Sequence, residues 1–271
     1  INHQPWNMSR SGENAPLAWW HAFLVFACCA HTNGTQKIKV EAFVETLCND
    51  CHHWMLEELR PVWLDQALRD KMDLRVYAFG NANYVGSDVT CQHGQKECDG
   101  NTAIDCAIKH FAPNSSAHFA FCMFENIQAV QVKDDMLRAV KSCGESSAPG
   151  EAIEPLLRCL YGTEGRLETA LAAKATMATG NRYTPWILVN GVHSNSAELD
   201  FRHALCVELP DASRPASCRE TSLIRREAAP HGHFGCPNPW SEDQRKLGRD
   251  LEVVEASSAD VRPHGAHGVK M

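Results

Sequence analysis

The sequence lacks the features that mark two large classes of protein. It has no long run of lysine or arginine, and its formal net charge is −7 at pH 7, which does not favour nucleic acid as a partner. It also has no apolar run of about 20 residues, the length that a membrane-spanning helix needs. The longest such run, residues 17–30, has 14. We therefore expect no nucleic acid partner and no membrane span in the mature chain.

The short apolar run at residues 17–30 has the length of the central part of a secretory signal peptide. We expect residues 1–30 to be an N-terminal extension and signal peptide, with cleavage after Ala30. The alternative is that this run forms a buried helix of the mature protein. Sequons for N-glycosylation at Asn33 and Asn114 also fit a secretory route.

Cysteine is unusually frequent, with 13 in a chain of 271. In an oxidising compartment such a number indicates disulfide bonds. Two cysteines fall in the expected signal peptide, and Cys48 and Cys51 form a C-x-x-C pair. Cys236 is left over in a different kind of sequence, so we expect it to be free or in an intermolecular bridge that would give a disulfide-linked oligomer. The eight candidates for structural disulfides are Cys91, Cys98, Cys106, Cys122, Cys143, Cys159, Cys206 and Cys218.

The C-x-x-C pair lies between a predicted strand and a predicted helix. The segment KIKVEAFVET (37–46) alternates like a strand, and after the cysteines apolar residues recur at helical spacing, with an interruption expected at Pro61. The segment LRVYAFGN (74–81) predicts a second strand. A cysteine at a helix N-terminus has a lowered pKa, and a second cysteine one turn on can attack a mixed disulfide. This placement is therefore typical of disulfide exchange.

The motif CNDCHHW (48–54) also permits other interpretations. Cys48, Cys51 and His52 match the attachment site of a c-type haem. A zinc site would need ligands from elsewhere, because adjacent histidines do not easily serve one tetrahedral ion. A structural disulfide between the two cysteines is the third alternative. Asp50 should oppose ionisation of Cys48, whereas protonated His52 and His53 would favour it.

The rest of the chain predicts a helical region followed by a short strand and a tail. Residues 99–180 have the pattern of five helices, and TPWILVNGVHS (184–194) predicts a strand with a hairpin turn at Asn190-Gly191. Residues 196–209 predict a closing helix. From 219 to 271 the periodicity is lost, which predicts a flexible tail.

The bond between Thr184 and Pro185 opens the late strand. In thioredoxin-like folds a cis-proline at this point faces the C-x-x-C pair, and cis bonds are essentially confined to proline. The backbone beside it is left free to bind an extended substrate strand. We therefore expect Thr184-Pro185 to be cis, to lie beside Cys48 and Cys51, and to bind substrate.

Three further segments carry a resemblance to a known family. They are CQHGQKEC (91–98), YAFGNA (77–82) and TPWILVNG (184–191). Together with the C-x-x-C pair they resemble the gamma-interferon-inducible lysosomal thiol reductase family, over roughly residues 38–218. An alternative for the first segment is that Cys91, His93 and Cys98 ligate a metal, but we expect a disulfide network and no metal.

This resemblance implies an α/β, thioredoxin-like domain over residues 36–218 with a helical, cysteine-rich insertion. It implies a reductase of protein disulfides, in acidic endosomes and lysosomes or secreted, with Cys48 attacking and Cys51 resolving. Its partners would be disulfide-bonded proteins and a small-molecule thiol reductant, without a cofactor. Two alternatives stay open: a DsbA-like oxidase or isomerase, and a non-enzymatic, secreted, disulfide-rich binding domain with an inert bridge from Cys48 to Cys51.

Overall fold

The structure is a computed structural model that describes residues 37–85, 88–133, 136–219 and 235–240. The expected signal peptide (1–30) and the sequon at Asn33 lie outside the described residues, as does most of the expected tail (219–271). Within the described ranges, every helix is too short or too polar to cross a membrane.

The described residues form eight strands and ten α-helices. The strands are β1 (Ile38–Val44), β2 (Met72–Ala78), β3 (Asn83–Val85), β4 (Asp88–Thr90), β5 (Tyr183–Thr184), β6 (Trp186–Val189), β7 (Val192–His193) and β8 (Cys236–Pro237). The α-helices are α1 (Asn49–His53), α2 (Arg60–Leu64), α3 (Gln66–Arg69), α4 (Gln95–His110), α5 (Pro113–Lys133), α6 (Met136–Ser147), α7 (Glu154–Tyr161), α8 (Thr163–Ala178), α9 (Asn195–Leu199) and α10 (Phe201–Glu208).

The central sheet has the strand order β2-β1-β6-β7. Strand β1 pairs in parallel with β2 and antiparallel with β6, so it is covered on both edges. Its apolar residues are correspondingly buried, with Val40, Ala42 and Val44 each 0% exposed. A parallel β-α-β unit followed by an antiparallel hairpin and closing helices is the thioredoxin-like arrangement. The predicted α/β fold with a helical insertion is confirmed.

The helix after β1 runs without a break through a π-helical segment. Residues Trp54–Leu59 lie between α1 and α2, and the backbone N–H of Arg60 donates to the carbonyl oxygen of Met55. Pro61 has no N–H to donate, so the sequence predicts an interruption there. The structure accommodates the proline with the wider hydrogen-bonding pattern one turn before it, and the buried Trp54 stays packed in the core.

The hairpin between β6 and β7 forms where the sequence predicts it. Asn190 has φ 51° and Gly191 has φ 81°, and two positive φ angles in succession are what a tight two-residue hairpin turn requires. The single closing helix expected at 196–209 is instead divided into α9 and α10. The division lies at Asp200, whose side chain accepts a hydrogen bond from the backbone N–H of His203 and caps α10.

Five helices, α4 to α8, form the insertion between β4 and β5, and disulfides join them. Cys106 in α4 bonds to Cys159 in α7, and Cys122 in α5 bonds to Cys143 in α6. Cys91–Cys98 lies at the start of this region, and Cys206–Cys218 joins α10 to the residues that follow it. The eight cysteines between 91 and 218 thus pair among themselves.

The Cys106–Cys159 bond should contribute the most stability of the bonds within the insertion. Its cysteines are 53 positions apart, and a cross-link over a loop of this length stabilises by about 4 kcal/mol. We expect Cys106→Ala/Cys159→Ala to lower the free energy of unfolding by about that amount in urea without reductant. The Cys206–Cys218 bond closes a loop of only 12 positions, so Cys206→Ala/Cys218→Ala is the matched control. We expect this control to lower the free energy of unfolding by about 3 kcal/mol. An equal or larger loss in the control would contradict the loop-length argument.

The expectation of a flexible tail over residues 219–271 is wrong for residues 235–240, here called the C-terminal segment. Within it β8 pairs antiparallel with β5. Cys236 was expected to be free or intermolecular, and this too is wrong, because it forms a disulfide with Cys48. The two cysteines are 188 positions apart, so no local pattern in the sequence marks them as partners.

Candidate active site

Cys48 lies where β1 ends and the first helix begins. It is the N-cap residue of α1, and the backbone N–H of Cys51 points at its Sγ at 3.4 Å. A helix N-terminus favours a negative charge, so this position stabilises a thiolate at Cys48. In the described structure, however, the Sγ of Cys48 is bonded to Cys236 and the residue is 1% exposed.

Cys51 is a free thiol, completely buried one turn farther along the helix. The backbone N–H of Glu45 donates to its Sγ at 3.4 Å. Burial raises the pKa of the Cys51 thiol well above its ordinary value, and the nearby carboxyl of Glu45 raises it further. Cys51 is therefore a thiol that ionises with difficulty, and it is not bonded to Cys48 here. A haem or zinc site would need the sulfur of Cys48, which the bond to Cys236 occupies.

Glu45 is a buried carboxyl beside both cysteines. One of its oxygens lies within 4.8 Å of the sulfurs of Cys48 and Cys236, and its Oε2 accepts the backbone N–H of Asn81 at 2.7 Å. Burial, followed by the charge of Glu97, raises the pKa of Glu45 to about 8. The group is thus a neutral carboxylic acid at acidic and neutral pH.

The segment CQHGQKEC supplies the groups behind Glu45. Its disulfide Cys91–Cys98 holds a short loop, in which Nδ1 of His93 lies 2.5 Å from Oε2 of the buried Glu97. The same nitrogen is 3.9 Å from Oε1 of Glu45. The metal interpretation of this segment fails, because both of its sulfurs are consumed in the disulfide.

Thr184 and Pro185 lie beside the cysteines, and their peptide bond is cis, as the sequence predicts. The carbonyl oxygen of Thr184 is 3.6 Å from the Sγ of Cys48. Its hydroxyl accepts a hydrogen bond from the side-chain amide of Asn81 at 3.3 Å. The late strand therefore meets the start of the first helix at Cys48, as expected from the sequence.

The other residues singled out by the sequence differ in exposure and in their hydrogen bonds. The carboxylate of Asp50 accepts the backbone N–H of Gly235 at 2.8 Å. His52 is partly exposed and His53 is exposed. Asn114, the second sequon, is exposed on α5 and far in the chain from the site.

Sequence reasoning missed three buried polar groups of the site, which are Glu45, Asn81 and Glu97. A signal existed for Glu45, because it is an acid three positions before Cys48 at the end of an apolar strand. The other two have meaning only once the chain is folded, since they reach the site from separate loops and helices.

The chain is similar in sequence to known proteins. The model of the family "Gamma interferon inducible lysosomal thiol reductase (GILT)" matches residues 39–147. A gamma-interferon-inducible lysosomal thiol reductase of Carassius auratus is 27% identical over 221 residues, covering 75% of this chain and 82% of that protein. A gamma-interferon-inducible lysosomal thiol reductase-like protein of Anopheles gambiae is 29% identical over 210 residues, covering 68% and 81%.

A solved structure also resembles the chain. It is that of MdbA protein, a thiol-disulfide oxidoreductase from Actinomyces oris, which aligns with a TM-score of 0.48 and 14% sequence identity. The alignment covers 65% of this chain and 83% of that one.

Proposed function

We propose that this chain, which is similar to the gamma-interferon-inducible lysosomal thiol reductase family, reduces disulfide bonds of proteins through Cys48 and Cys51. The observation that carries the proposal is the contrast between the two sulfurs. Cys48 lies at a helix N-terminus beside Thr184, whereas Cys51 is a buried thiol one turn deeper. One sulfur is placed to attack a substrate and the other to complete the exchange.

The first step is attack by Cys48. Once it is free of Cys236, its thiolate is stabilised by the N–H of Cys51 at the helix N-terminus. The thiolate attacks one sulfur of a substrate disulfide and displaces the other as a thiolate. The product is a mixed disulfide between Cys48 and the substrate.

The second step is release by Cys51. Its sulfur attacks the Sγ of Cys48, the bond to the substrate breaks, and a Cys48–Cys51 disulfide forms. Because burial raises the pKa of Cys51, its proton must leave as it attacks. In this proposal Glu45 takes up that proton as it gives its own to the departing substrate sulfur, so the carboxyl ends the step neutral again. A small-molecule thiol then reduces the Cys48–Cys51 disulfide and restores the dithiol.

Glu45 is the proton donor to the departing sulfur in this proposal. Cys236 occupies the position of a substrate sulfur, and a carboxyl oxygen of Glu45 is within 4.8 Å of it. With its pKa raised to about 8, Glu45 holds a proton at acidic and neutral pH. In that range it also places no negative charge beside the thiolate of Cys48.

An acidic endosomal or lysosomal setting, or secretion, is part of the proposal. It is supported by the names of the relatives, which are named as lysosomal thiol reductases, and by five disulfides among the described residues, which fit the secretory pathway. The neutral state of Glu45 below pH 8 is compatible with exchange at acidic pH.

The proposed activity is tested by the reduction of insulin with a small thiol, at pH 4 to 8. We expect the wild-type chain to accelerate reduction over this whole range, and Cys48→Ser to leave only the uncatalysed rate. The proposal would be contradicted if neither the wild-type chain nor Cys236→Ser, in which Cys48 is free, accelerated reduction at any pH. The reduction potential of the Cys48–Cys51 pair separates a reductase from a DsbA-like oxidase, whose dithiol is poised at a much more oxidising potential.

A further inference from the structure

The C-terminal segment binds the candidate active site as an extended strand. Cys236 lies opposite Thr184, and Pro237 lies opposite Tyr183, in antiparallel pairing. The backbone N–H of Asn238 donates to the carbonyl oxygen of Arg182 at 2.9 Å and so extends the pairing by one residue. Adding a strand to an open edge is a common way of recognising peptides.

Side chains of the site complete this binding at both ends of the segment. Before the cysteine, Asp50 accepts the N–H of Gly235 at 2.8 Å. At the cysteine itself, the side-chain amide of Asn81 donates to the carbonyl oxygen of Cys236 at 2.9 Å. Farther on, the indole N–H of Trp240 donates to the backbone oxygen of Asn81. These contacts are made mostly to backbone atoms, so another peptide can make them too.

One position of the segment admits only glycine. Gly235 has φ +121°, a conformation that other residues rarely adopt, and a Cβ built on it would lie 2.6 Å from Cδ2 of Tyr183. The tyrosine ring is held in place by a hydrogen bond from its hydroxyl to Glu198 at 2.9 Å. The residue just before the bonded cysteine is therefore selected by the ring of Tyr183.

We propose that Asp50, Asn81 and the strand Arg182–Thr184 form the substrate groove, that it takes an extended strand with glycine before the attacked cysteine, and that the C-terminal segment is its tethered occupant. This inference rests on the proposed function and adds the class of substrate and its regulation. The Cys48–Cys236 bond then has the geometry of the mixed disulfide with a substrate. Because the segment belongs to the same chain, its return to Cys48 is intramolecular and competes with external substrates.

The bond to the tethered segment is opened by the same exchange that releases a substrate. The thiol of Cys51 attacks the Sγ of Cys48, the Cys48–Cys236 bond breaks, and the Cys48–Cys51 bond forms. Cys236 leaves as a thiol, taking the proton that Cys51 gives up. One disulfide replaces another, so no external oxidant is needed, and a small thiol afterwards reduces the Cys48–Cys51 bond.

The test uses Cys51→Ser/Cys236→Ser, in which Cys48 reacts once and the C-terminal segment has no sulfur with which to compete. Two synthetic peptides, Gly-Cys-Pro-Asn-Pro-Trp and Val-Cys-Pro-Asn-Pro-Trp, each carry the cysteine as a mixed disulfide with 5-thio-2-nitrobenzoate. Attack on the peptide sulfur releases the coloured thiolate, which is the better leaving group because of its low pKa. The same protein with Cys48→Ser added is the blank, and the symmetrical aromatic disulfide without peptide is the reference for intrinsic reactivity.

We expect the glycine peptide to react at least about tenfold faster than the valine peptide, after division by the reference rate. Tyr183→Ala should remove most of this preference, and Asp50→Ala should slow the glycine peptide alone relative to the reference. Equal rates for the two peptides would contradict the proposed groove and its selection of glycine. No reaction with the aromatic disulfide either would instead contradict the proposed function.

The tethered occupant is tested separately in chains that retain Cys51. Peptide mapping of the non-reduced wild-type chain should join Cys48 to Cys236, and Cys236→Ser should react with the glycine peptide at least about tenfold faster than wild type. The proposed tethering would be contradicted if Cys48 were not joined to Cys236 in the wild-type chain and the wild type reacted as fast as Cys236→Ser.

Discussion

Replacing Cys51 by serine will trap covalent enzyme–substrate adducts, whereas replacing Cys48 by serine will abolish both adducts and turnover. Cys51→Ser removes the releasing sulfur and leaves the attacking one intact, so the mixed disulfide persists. Cys48→Ser leaves only a buried thiol with a raised pKa, and we expect turnover to fall by roughly three orders of magnitude or more. Both effects are measured by non-reducing electrophoresis with a disulfide-bonded protein, and dithiothreitol should dissolve the adducts.

This experiment requires a Cys236→Ser background. In the described structure Cys48 is bonded to Cys236, and among the described residues Cys51 is the free thiol that could open that bond. The control is Cys236→Ser alone, which should turn over substrate and accumulate no adduct. Equal trapping by the two cysteine variants would mean that the roles of Cys48 and Cys51 are wrongly assigned.

The stability of the protein should fall as pH rises from 5 to 8, and Glu45→Gln should remove most of that fall. Folding raises the pKa of Glu45 from 4.5 to about 8, so between these values the folded state binds a proton that the unfolded state has lost. The stabilisation from this proton is complete below pH 4.5 and is lost as pH rises through 8. The shift corresponds to roughly 5 kcal/mol across the window.

The measurement is the free energy of unfolding in urea at several pH values, without reductant. As pH rises from 5 to 8, the free energy of unfolding of Glu45→Gln should increase relative to that of the wild type. Glu57→Gln, a substitution of the same chemistry at an exposed position, is the matched control. A difference between Glu45→Gln and wild type that is constant from pH 5 to 8 would show that Glu45 does not titrate in this window.

The sequence predicted those features that depend on neighbours along the chain. The alternation around Val40 predicted β1, and the position of Cys48 and Cys51 between a strand and a helix predicted a thiol placed at a helix N-terminus. The turn at Asn190-Gly191 and the cis bond at Thr184-Pro185 followed in the same way from the conformational preferences of asparagine, glycine and proline. Each of these is set within a few residues.

The acid cluster behind the dithiol illustrates what such local patterns do not contain. Glu45 follows β1, His93 lies in the loop before α4 and Glu97 lies in the first turn of α4, and the three meet only in the folded chain. The raised pKa of Glu45 is a property of burial and of a neighbour 52 positions away, which the residue type alone does not indicate. The same packing brings His93 to these two carboxylates.

The thioredoxin-like class, the resemblance to the thiol reductase family and the proposal of Cys48 and Cys51 as the dithiol all came from local patterns in the sequence. Only the tertiary structure decided the partner of each cysteine, because a disulfide needs two sulfurs at the same point in space and eight cysteines allow 105 pairings. The bond from Cys48 to Cys236 is the extreme case, with 188 positions between its ends. The strand pairing of Cys236 with Thr184 places its sulfur against Cys48, and that pairing exists only after the sheet has formed.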